Sequence, residues 1–145
     1  MGRISDHILH VANDRETPIT NLQLQKITYF VMGYMIRHNL NISIVKEDLT
    51  NSQLEAWLYG PVFPELYDEF KRFGSFPIDY DGEKDSDLNE LPGLNNIIGN
   101  LIDKPPFELV ENSHKRKFWK TNRDKIAHGM ANPVYDFEHL SKDFV

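Results

Sequence analysis

The segment between Thr20 and Asn39 most constrains the fold, because it predicts one long helix with few polar faces. Thr20 and Gln23 form a capping box, in which the side chain of each residue accepts a hydrogen bond from the backbone amide of the other. The helix is expected to end near His38 and Asn39, since Asn tolerates the left-handed conformation there. Apolar residues then occupy several of its faces: Leu24, Ile27, Tyr29, Phe30, Val31, Met32, Tyr34 and Met35. Such a helix is expected at the centre of the molecule, enclosed by the rest of the chain.

Other helices are predicted from capping residues and apolar spacing. A first helix is expected to start near Ser5, which can act as its N-cap. Residues 94–102 place apolar side chains at i, i+3, i+4, i+7 and i+8, and a further helix is expected over Phe107–Ser113. Asn132-Pro133 is expected to begin a terminal helix, because proline suits the first helical position. Residues 42–45 are expected to run extended.

The segment around Gly60-Pro61 predicts a corner between two helices. Residues 50–53 form a second capping box, so a short helix is expected to start there and to include Leu54, Trp57 and Leu58 at i, i+3 and i+4. Gly60-Pro61 would end this helix, and Pro64 would begin the next one. Eight of the 17 aromatic residues lie within residues 57–80, so this hairpin of helices is expected to form the aromatic centre of the core.

The chain of 145 residues has the length of one domain, and we expect residues 1–145 to form a single domain. The expected fold class is mainly α: six or seven helices in one compact unit, with at most a minor pair of short strands. The absence of Cys excludes disulfides and thiolate sites and favours a reducing compartment, so a cytoplasmic location is expected. The longest apolar run, residues 27–36, is too short to span a membrane.

The sequence gives no positive sign of catalysis. The common nucleotide-binding, hydrolase and zinc-protease motifs are absent, so we expect no enzyme, no cofactor and no metal. Two alternatives remain open. His7 and His10 could bind a metal one helical turn apart, although two surface histidines are the simpler interpretation. Glu55, Glu65 or His114 could act as acid–base groups beside the Gly-Pro corner.

Charge is unevenly distributed along the chain. The formal net charge is −6, yet residues 112–128 carry six basic side chains and one acidic one, whereas residues 75–111 carry nine acidic and two basic ones. Phe118 and Trp119 lie inside the basic run, a mixture typical of protein interfaces and of single-stranded nucleic-acid platforms. The net charge favours a protein partner. A nucleic-acid-binding regulator that uses residues 115–125 is the alternative function. The simplest interpretation of the segment is a solvated basic loop in which Trp119 is packed inward.

Two segments resemble the SocA-like Panacea domain of phage-associated proteins and antitoxins. Residues 24–30 (LQKITYF) are similar to the family's L-Q-K-L-x-Y-Y helix. Residues 54–67 contain AWLYGPV, which is similar to its A-W-x-Y-G-P-V element. His114 and Trp119 would correspond to a later His and Trp of the family pattern. The resemblance covers roughly residues 20–120. The sequence departs from the family pattern at Phe118, just before Trp119, where the family often has proline.

The resemblance implies a mainly helical antitoxin that neutralises a cognate toxin by direct binding, and a relative that delivers its toxin to a protease. Neither role needs an active site, a membrane or nucleic acid. We therefore expect the corner and the basic segment to contact a protein partner, although the corner could also be only a turn that defines the fold. The residues expected at this contact are Tyr59, Gly60, Pro61, Tyr67, His114, Lys115, Arg116, Lys117, Trp119 and Lys120.

Overall fold

The computed structural model describes residues 2–130 and 132–145. Within these ranges the chain forms nine α-helices and three short β-strands. The helices are α1 (Arg3–Asp14), α2 (Asn21–Arg37), α3 (Ile42–Asn51), α4 (Pro64–Phe70), α5 (Ser86–Asn89), α6 (Leu94–Ile102), α7 (Pro106–His114), α8 (Lys117–Ala127) and α9 (Phe137–Lys142). The strands are β1 (Leu54–Trp57), β2 (Gly60–Val62) and β3 (Val134–Tyr135). The expectation of a mainly α fold is confirmed. Within the described ranges, no helix is both long enough and apolar enough to cross a bilayer.

Helix α2 lies at the centre of the molecule, as predicted. It contacts α1, α3, α4, α6, α7, α9 and β2. The predicted capping box is present: Gln23 N donates to Thr20 Oγ1 at 3.2 Å, and Thr20 N donates to Gln23 Oε1 at 2.9 Å. Asn39, just beyond the helix end, has a φ of 52°, the left-handed conformation expected of it.

The prediction of an extended segment at residues 42–45 is wrong, because these residues begin α3. The helix is held against the start of α1 by Asp48, which accepts hydrogen bonds from Arg3 N at 3.0 Å and from Ile4 N at 2.9 Å. These amides need such a partner, because the first amides of a helix have none within it. Helix α1 therefore begins at Arg3, two residues before the predicted start at Ser5, and its capping carboxylate comes from a distant part of the chain.

The predicted helix that starts at the capping box of residues 50–53 is also wrong. Thr50 lies in the last turn of α3, and β1 and β2 form an antiparallel hairpin where the helix was expected. Leu54 and Ala56 are buried, while Glu55 and Trp57 are half-buried, and this alternation is that of a strand. Strand β3 pairs with the other edge of β1, which gives the order β2-β1-β3. The Gly-Pro corner thus joins a hairpin to α4, and not one helix to another.

The terminal helix starts later than predicted. Asn132-Pro133 precedes β3, and the carbonyl of Pro133 accepts a hydrogen bond from Ala56 N at 2.8 Å. Helix α9 begins at Phe137, where the Asp136 side chain accepts from His139 N at 2.7 Å. A residue pattern typical of a helix start is therefore used to align a strand.

The aromatic centre of the core lies around Tyr29 and not within residues 57–80, where Tyr59, Tyr67, Phe76 and Tyr80 are exposed. The Tyr29 ring contacts Phe30, Tyr135 and Phe144 at centroid distances of 5.0, 5.9 and 5.1 Å. Its hydroxyl donates to Asp143 Oδ2 at 2.7 Å. Residues near the C-terminal end of the chain therefore complete the core.

The acidic segment of residues 79–90 is mostly exposed, as expected, but it is fixed to α1. Arg3 Nε donates to Asp85 Oδ2 at 2.8 Å, and another guanidinium nitrogen donates to Asp87 Oδ2 at 2.9 Å. Gly82 lies so close to α1 that a Cβ atom there would overlap backbone atoms of Asp6 and His10. Part of this segment is the short helix α5.

Gly33 provides a direct test of how closely α2 packs against the C-terminal residues. A methyl group at Gly33 would overlap the ring of Phe144. In an unobstructed helix, replacing Gly by Ala adds about 1 kcal/mol of stability. At this position we expect Gly33→Ala to lower the free energy of unfolding by about 1–3 kcal/mol, which urea denaturation measures.

Gly99→Ala on α6 is the matched control. The nearest atoms to its Cβ belong to the end of the flexible Arg15 side chain, which can move aside. We therefore expect this variant to be neutral or more stable. If Gly33→Ala were as stable as Gly99→Ala, the close approach of Phe144 to α2 would be wrong.

Candidate functional site

The hairpin of β1 and β2 presents two exposed apolar residues at its turn. Leu58 and Tyr59 link the paired residues Trp57 and Gly60, and their exposed fractions are 56% and 59%. Gly60 has a φ of 105°, and a Cβ atom there would overlap Ser113 Oγ. Glycine is thus required both by the backbone and by the close approach of α7.

His114 and Trp119 support this turn from below. Trp119 Nε1 donates to the carbonyl of Trp57 at 2.9 Å, and His114 Nε2 donates to the carbonyl of Leu58 at 3.0 Å. The two rings stack at a centroid distance of 3.8 Å with an interplanar angle of 18°. Burial lowers the pKa of His114, and the nearby Lys26 lowers it further, so the neutral ring with its proton on Nε2 fits this position. These two side chains therefore hold the hairpin in place.

The outer edge of β2 is closed by polar side chains from α2. Lys26 Nζ donates to the carbonyl of Pro61 at 2.8 Å, and Gln25 Oε1 accepts from Phe63 N at 2.8 Å. An edge strand otherwise leaves such backbone groups without partners, and buried backbone groups require them. This series of hydrogen bonds continues to α4. Gln25 Nε2 donates to Asn21 Oδ1 at 3.0 Å, and Asn21 Nδ2 donates to a backbone carbonyl of α4 at 3.1 Å.

Lys26 is fully buried, and no salt bridge within the described part of the chain involves it. Burial lowers the pKa of its ammonium group to about 7. This lysine belongs to the LQK segment of residues 24–26, and no role was predicted for it from the sequence. A lysine inside a helix that is apolar on most faces was the signal that could have identified it.

A cleft of about 330 Å³ lies between the hairpin, α2 and α4, and we call it the hairpin cleft. Its lining includes Lys26, Trp57, Tyr59, Val62, Tyr67 and Lys71. The rings of Trp57 and Tyr67 meet edge to face at 5.5 Å. The lining contains two lysines and no carboxylate. It is thus an aromatic cleft with a basic character.

A second cleft of about 250 Å³, which we call the acidic cleft, is lined by the opposite face of α4. Glu65 and Glu69 of α4 line it together with Glu47 and Asp48 of α3, and Arg3 is the one basic residue of the lining. Burial raises the pKa of Asp48, although two backbone amides donate to its carboxylate. Because residues four apart lie on one face of a helix, α4 separates two clefts of opposite charge.

The residues expected at a partner contact divide into exposed and supporting ones. Tyr59 and Tyr67 are exposed on the hairpin cleft, whereas Gly60, Pro61 and Trp119 are buried. His114 is half-buried beneath the turn. The structure therefore brings the corner and the later His and Trp together, but only part of this group can touch a partner directly.

The basic segment forms α8, a helix that sequence analysis did not predict. Lys115, Lys117 and Lys120 are exposed, and no salt bridge among the residues that the structure covers includes them. Arg116 differs, because its guanidinium donates to the carbonyl of Asp143 at 3.1 Å and lies 4.7 Å from the centre of the Phe144 ring. Arg116 thus joins α8 to the aromatic core and is not free for a partner.

The candidate acid–base groups do not share a cleft. Glu55 accepts a hydrogen bond from Trp57 Nε1 at 2.9 Å, and Glu65 lines the acidic cleft. His114 lies beneath the hairpin turn, where its Nε2 atom is already used. The arrangement offers no pair of these groups facing one substrate position.

His7 is buried, which corrects the interpretation of residues 7 and 10 as two surface histidines. Its Nε2 atom donates to Asn95 Oδ1 at 2.9 Å, and its Nδ1 atom accepts from Asp85 N at 3.1 Å. Both ring nitrogens are therefore occupied, and burial lowers the pKa of the ring. Within residues 2–130 and 132–145, no group of three or more His, Cys, Asp or Glu residues could hold a metal ion.

Comparison with known proteins identifies the family. Residues 24–120 match the family model described as the antitoxin SocA-like, Panacea domain. The chain belongs to this family. The Panacea domain match includes the hairpin, both supporting residues His114 and Trp119, and the lysine at the floor of the hairpin cleft. The resemblance inferred from the two sequence segments is thereby confirmed.

A curated relative supports the same assignment. The chain is 31% identical over 109 residues to Antitoxin SocA of Caulobacter vibrioides (strain NA1000 / CB15N). The alignment covers 74% of this chain and 53% of that protein, so the chain spans about half the length of this relative. No solved structure matches the chain.

The buried Lys26 gives a prediction for stability against pH. An unfolded lysine has a pKa near 10.4, whereas burial lowers that of Lys26 to about 7. Between these values the unfolded chain binds one more proton than the folded chain, so this residue makes stability rise with pH. We expect the contribution to approach about 1.4 kcal/mol per pH unit around pH 8–9, measured by urea denaturation at a series of pH values.

Lys26→Met should remove this pH-dependent contribution, and Lys84→Met is the matched control. Lys84 is exposed in the acidic segment, so its replacement should leave the pH profile of the wild-type chain unchanged. The contribution of Lys26 is the difference between the profiles of Lys26→Met and Lys84→Met. Parallel profiles for these two variants would show that Lys26 stays charged in the folded chain.

Proposed function

We propose that this chain is an antitoxin that neutralises a cognate toxin by direct protein–protein contact and catalyses no reaction. The observation that carries the proposal is the match of residues 24–120 to the antitoxin SocA-like, Panacea domain. The divided positions of Glu55, Glu65 and His114 support the non-enzymatic part, because acid–base catalysis requires groups that face one substrate.

The contact surface proposed is the hairpin turn with the adjoining face of α4. Leu58, Tyr59 and Tyr67 expose apolar area there, and Tyr is among the residues enriched at binding hot spots. The turn is fixed from below by hydrogen bonds from His114 and Trp119. A surface that is already ordered loses less conformational entropy on binding, which favours affinity.

The lysines at the junction of α7 and α8 would extend this surface. Lys115 directly follows His114, and Lys117 and Lys120 flank Trp119 in the first turn of α8. Exposed unpaired charges at an interface mainly accelerate association with a partner of opposite charge. We therefore propose that the toxin presents an acidic face to this junction.

Within this proposal, Gly60, Pro61, Arg116 and Trp119 act as the support of the surface, together with His114. Delivery of the toxin to a protease would begin with the same contact, so adaptor activity is the alternative outcome of binding. The two are distinguished by the lifetime of the toxin in cells with and without the antitoxin. A blocking antitoxin leaves the toxin abundant, whereas an adaptor shortens its lifetime.

A nucleic-acid-binding regulator is the second candidate function, and the exposed basic side chains of α8 favour it. The net charge of −6 opposes it. Binding to a phosphate backbone releases counterions and is strongest at low salt. An electrophoretic mobility shift at about 50 mM salt would support this function, and the absence of a shift there would exclude it.

Co-expression with the protein encoded by the neighbouring reading frame tests the leading proposal. We expect that protein to be toxic alone, harmless with this chain and recovered in a complex with it. Tyr59→Ala should weaken the complex by about tenfold or more, the range found for aromatic hot spots. Affinity is measured by calorimetry, and protection is measured by growth.

Phe107→Ala is the matched control, because Phe107 is a similarly exposed aromatic residue in the first turn of α7, at the other end of that helix from His114. Its affinity for the toxin should be unchanged. If the protein from the neighbouring reading frame is harmless and forms no complex with this chain, the proposal is contradicted. If Tyr59→Ala binds the toxin as tightly as Phe107→Ala, the contact lies elsewhere on the molecule.

A further inference from the structure

Residues 79–85, which we call the strap, lie against α1 between two buried residues. Ile78 precedes the strap, and its amide donates to the carbonyl of Ile19 at 2.8 Å. Leu88 of α5 follows the strap and belongs to the core. The strap itself forms neither helix nor strand and is mostly exposed. Its position on α1 therefore depends on polar contacts more than on apolar burial.

Two side chains of α1 accept hydrogen bonds from backbone amides of the strap. Asp6 Oδ1 accepts from Glu83 N at 2.9 Å, and His7 Nδ1 accepts from Asp85 N at 3.1 Å. Gly82 lies so close to the helix that a Cβ atom there would overlap its backbone. The strap is thus held closed by acceptors on a single turn of α1.

The neighbours of His7 fix where its proton lies. The backbone amide of Asp85 can only donate, so Nδ1 of the ring carries no proton. The proton lies on Nε2, which donates to Asn95 Oδ1 at 2.9 Å. That amide is itself oriented, because Asn95 Nδ2 donates to Asn89 Oδ1 at 2.9 Å. The closed strap therefore requires a neutral ring, since a second proton would place one N–H donor against another.

The groups that surround the ring do not reverse this requirement. The titratable ones are Asp6 and His10 of α1 and Asp85 of the strap, while α6 faces the ring with a neutral amide. Burial lowers the pKa of His7 below its ordinary value, although the amide of α6 and both carboxylates act in the opposite direction. Arg3 Nε donates to Asp85 at 2.8 Å, so that carboxylate already has a cationic partner. The charged ring is thus disfavoured even beside two carboxylates.

We propose that the strap is an acid-sensitive clasp, in which binding of a proton by His7 releases residues 79–85 from α1 while Ile78 and Leu88 stay in the core. In the open state the ring is hydrated and binds a proton with its ordinary pKa of about 6.5. A proton that binds the open state better than the closed one shifts the population towards the open state. Release uncovers the turn of α1 that contacts Gly82.

Amide hydrogen exchange of Asp85, measured by NMR on the full chain, tests the proposal. The protection factor, which is corrected for the direct effect of pH on exchange, should fall about fourfold from pH 7.5 to pH 6.0. This factor follows when the ring binds a proton with its ordinary pKa in the open state and binds none in the closed state. An unchanged protection factor would overturn the proposal.

The same experiment shows whether the release is local. Val31 lies in the buried part of α2, so its amide exchanges only when the core opens. We expect the amide of Asp85 to exchange faster than that of Val31 at both pH values, because the strap opens without unfolding of the core. Equal protection of the two amides would mean that the strap opens only with the whole molecule, and the clasp would be excluded.

Variants identify the group that titrates. His7→Asn supplies an amide oxygen that can accept from Asp85 N and does not titrate in this range, so the fall in protection should disappear. His10→Asn is the matched control, because His10 lies one turn further along α1 with its ring 6.2 Å from that of His7. This control should keep the fall. Persistence of the fall in His7→Asn, or its loss in His10→Asn, would assign the pH dependence to another group and overturn the proposal.

Gly82→Ala provides the decision where His7→Asn does not fold. A Cβ atom at this position would overlap backbone atoms of Asp6 and His10, so the variant should open the strap and leave His7 in place. Gly74→Ala is its control, because Gly74 also has a positive φ, of 59°, but an added Cβ would lie in open space among the described residues.

The readout for these two variants is the pKa of His7, measured by NMR titration of its ring. Gly82→Ala should raise it to about 6.5, the ordinary value, because the open ring is hydrated. The same variant should lower the protection of the Asp85 amide at both pH values. Gly74→Ala should leave the pKa and the protection as they are in the wild-type chain. An equal pKa of His7 in the two variants would show that the strap does not control the ring, which contradicts the proposal.

Discussion

The hairpin depends on two side chains of α2 that satisfy the backbone of an edge strand. Strand β2 pairs with β1 on one side only, and its other side faces α2. Lys26 provides a donor for the carbonyl of Pro61, and Gln25 provides an acceptor for the amide of Phe63. An unsatisfied backbone group in such a buried position costs about 1–3 kcal/mol. The central helix therefore positions the hairpin as well as the core, and a short sheet can exist in a mainly helical molecule because a helix closes its edge.

The same polar side chains connect the hairpin to α4. The Gln25 side chain donates a hydrogen bond to Asn21, and the Asn21 side chain donates one to the backbone carbonyl of Tyr67. The hairpin turn and the exposed tyrosines are therefore positioned by the same helix, α2. Hydrogen bonds from Trp119 and His114, one from each, fix the turn of the hairpin. The exposed residues are thus held at fixed positions relative to one another. Such preorganisation is what allows a small surface to bind with useful affinity.

The sequence predicted those elements whose determinants are local. Helix α2 has its capping box and its apolar faces within one segment, and α6 has its stripe in the same way. The hairpin was missed because Leu54, Trp57 and Leu58 satisfy a helical spacing, while its real determinants are distant: Ala56 donates to the carbonyl of Pro133, and α2 closes β2. For the candidate site, the sequence predicted a partner contact at Tyr59 and Tyr67, and the structure places both side chains on the surface. It missed the role of Lys26, because only the packing of other elements around α2 shows that this lysine is buried.

The family motif in this chain mainly maintains a shape. Of the AWLYGPV segment, Ala56, Gly60, Pro61 and Val62 are buried, and Leu58 and Tyr59 alone are largely exposed. The buried members fix the hairpin and the cleft behind it, which form the proposed contact surface. Discrimination between partners must then come from the exposed side chains around this frame, since only they can form or fail to form contacts with a given surface. The two clefts on either side of α4 carry opposite charges. A partner that covered both clefts in the wrong orientation would bring like charges together, so this charge pattern would add to the discrimination.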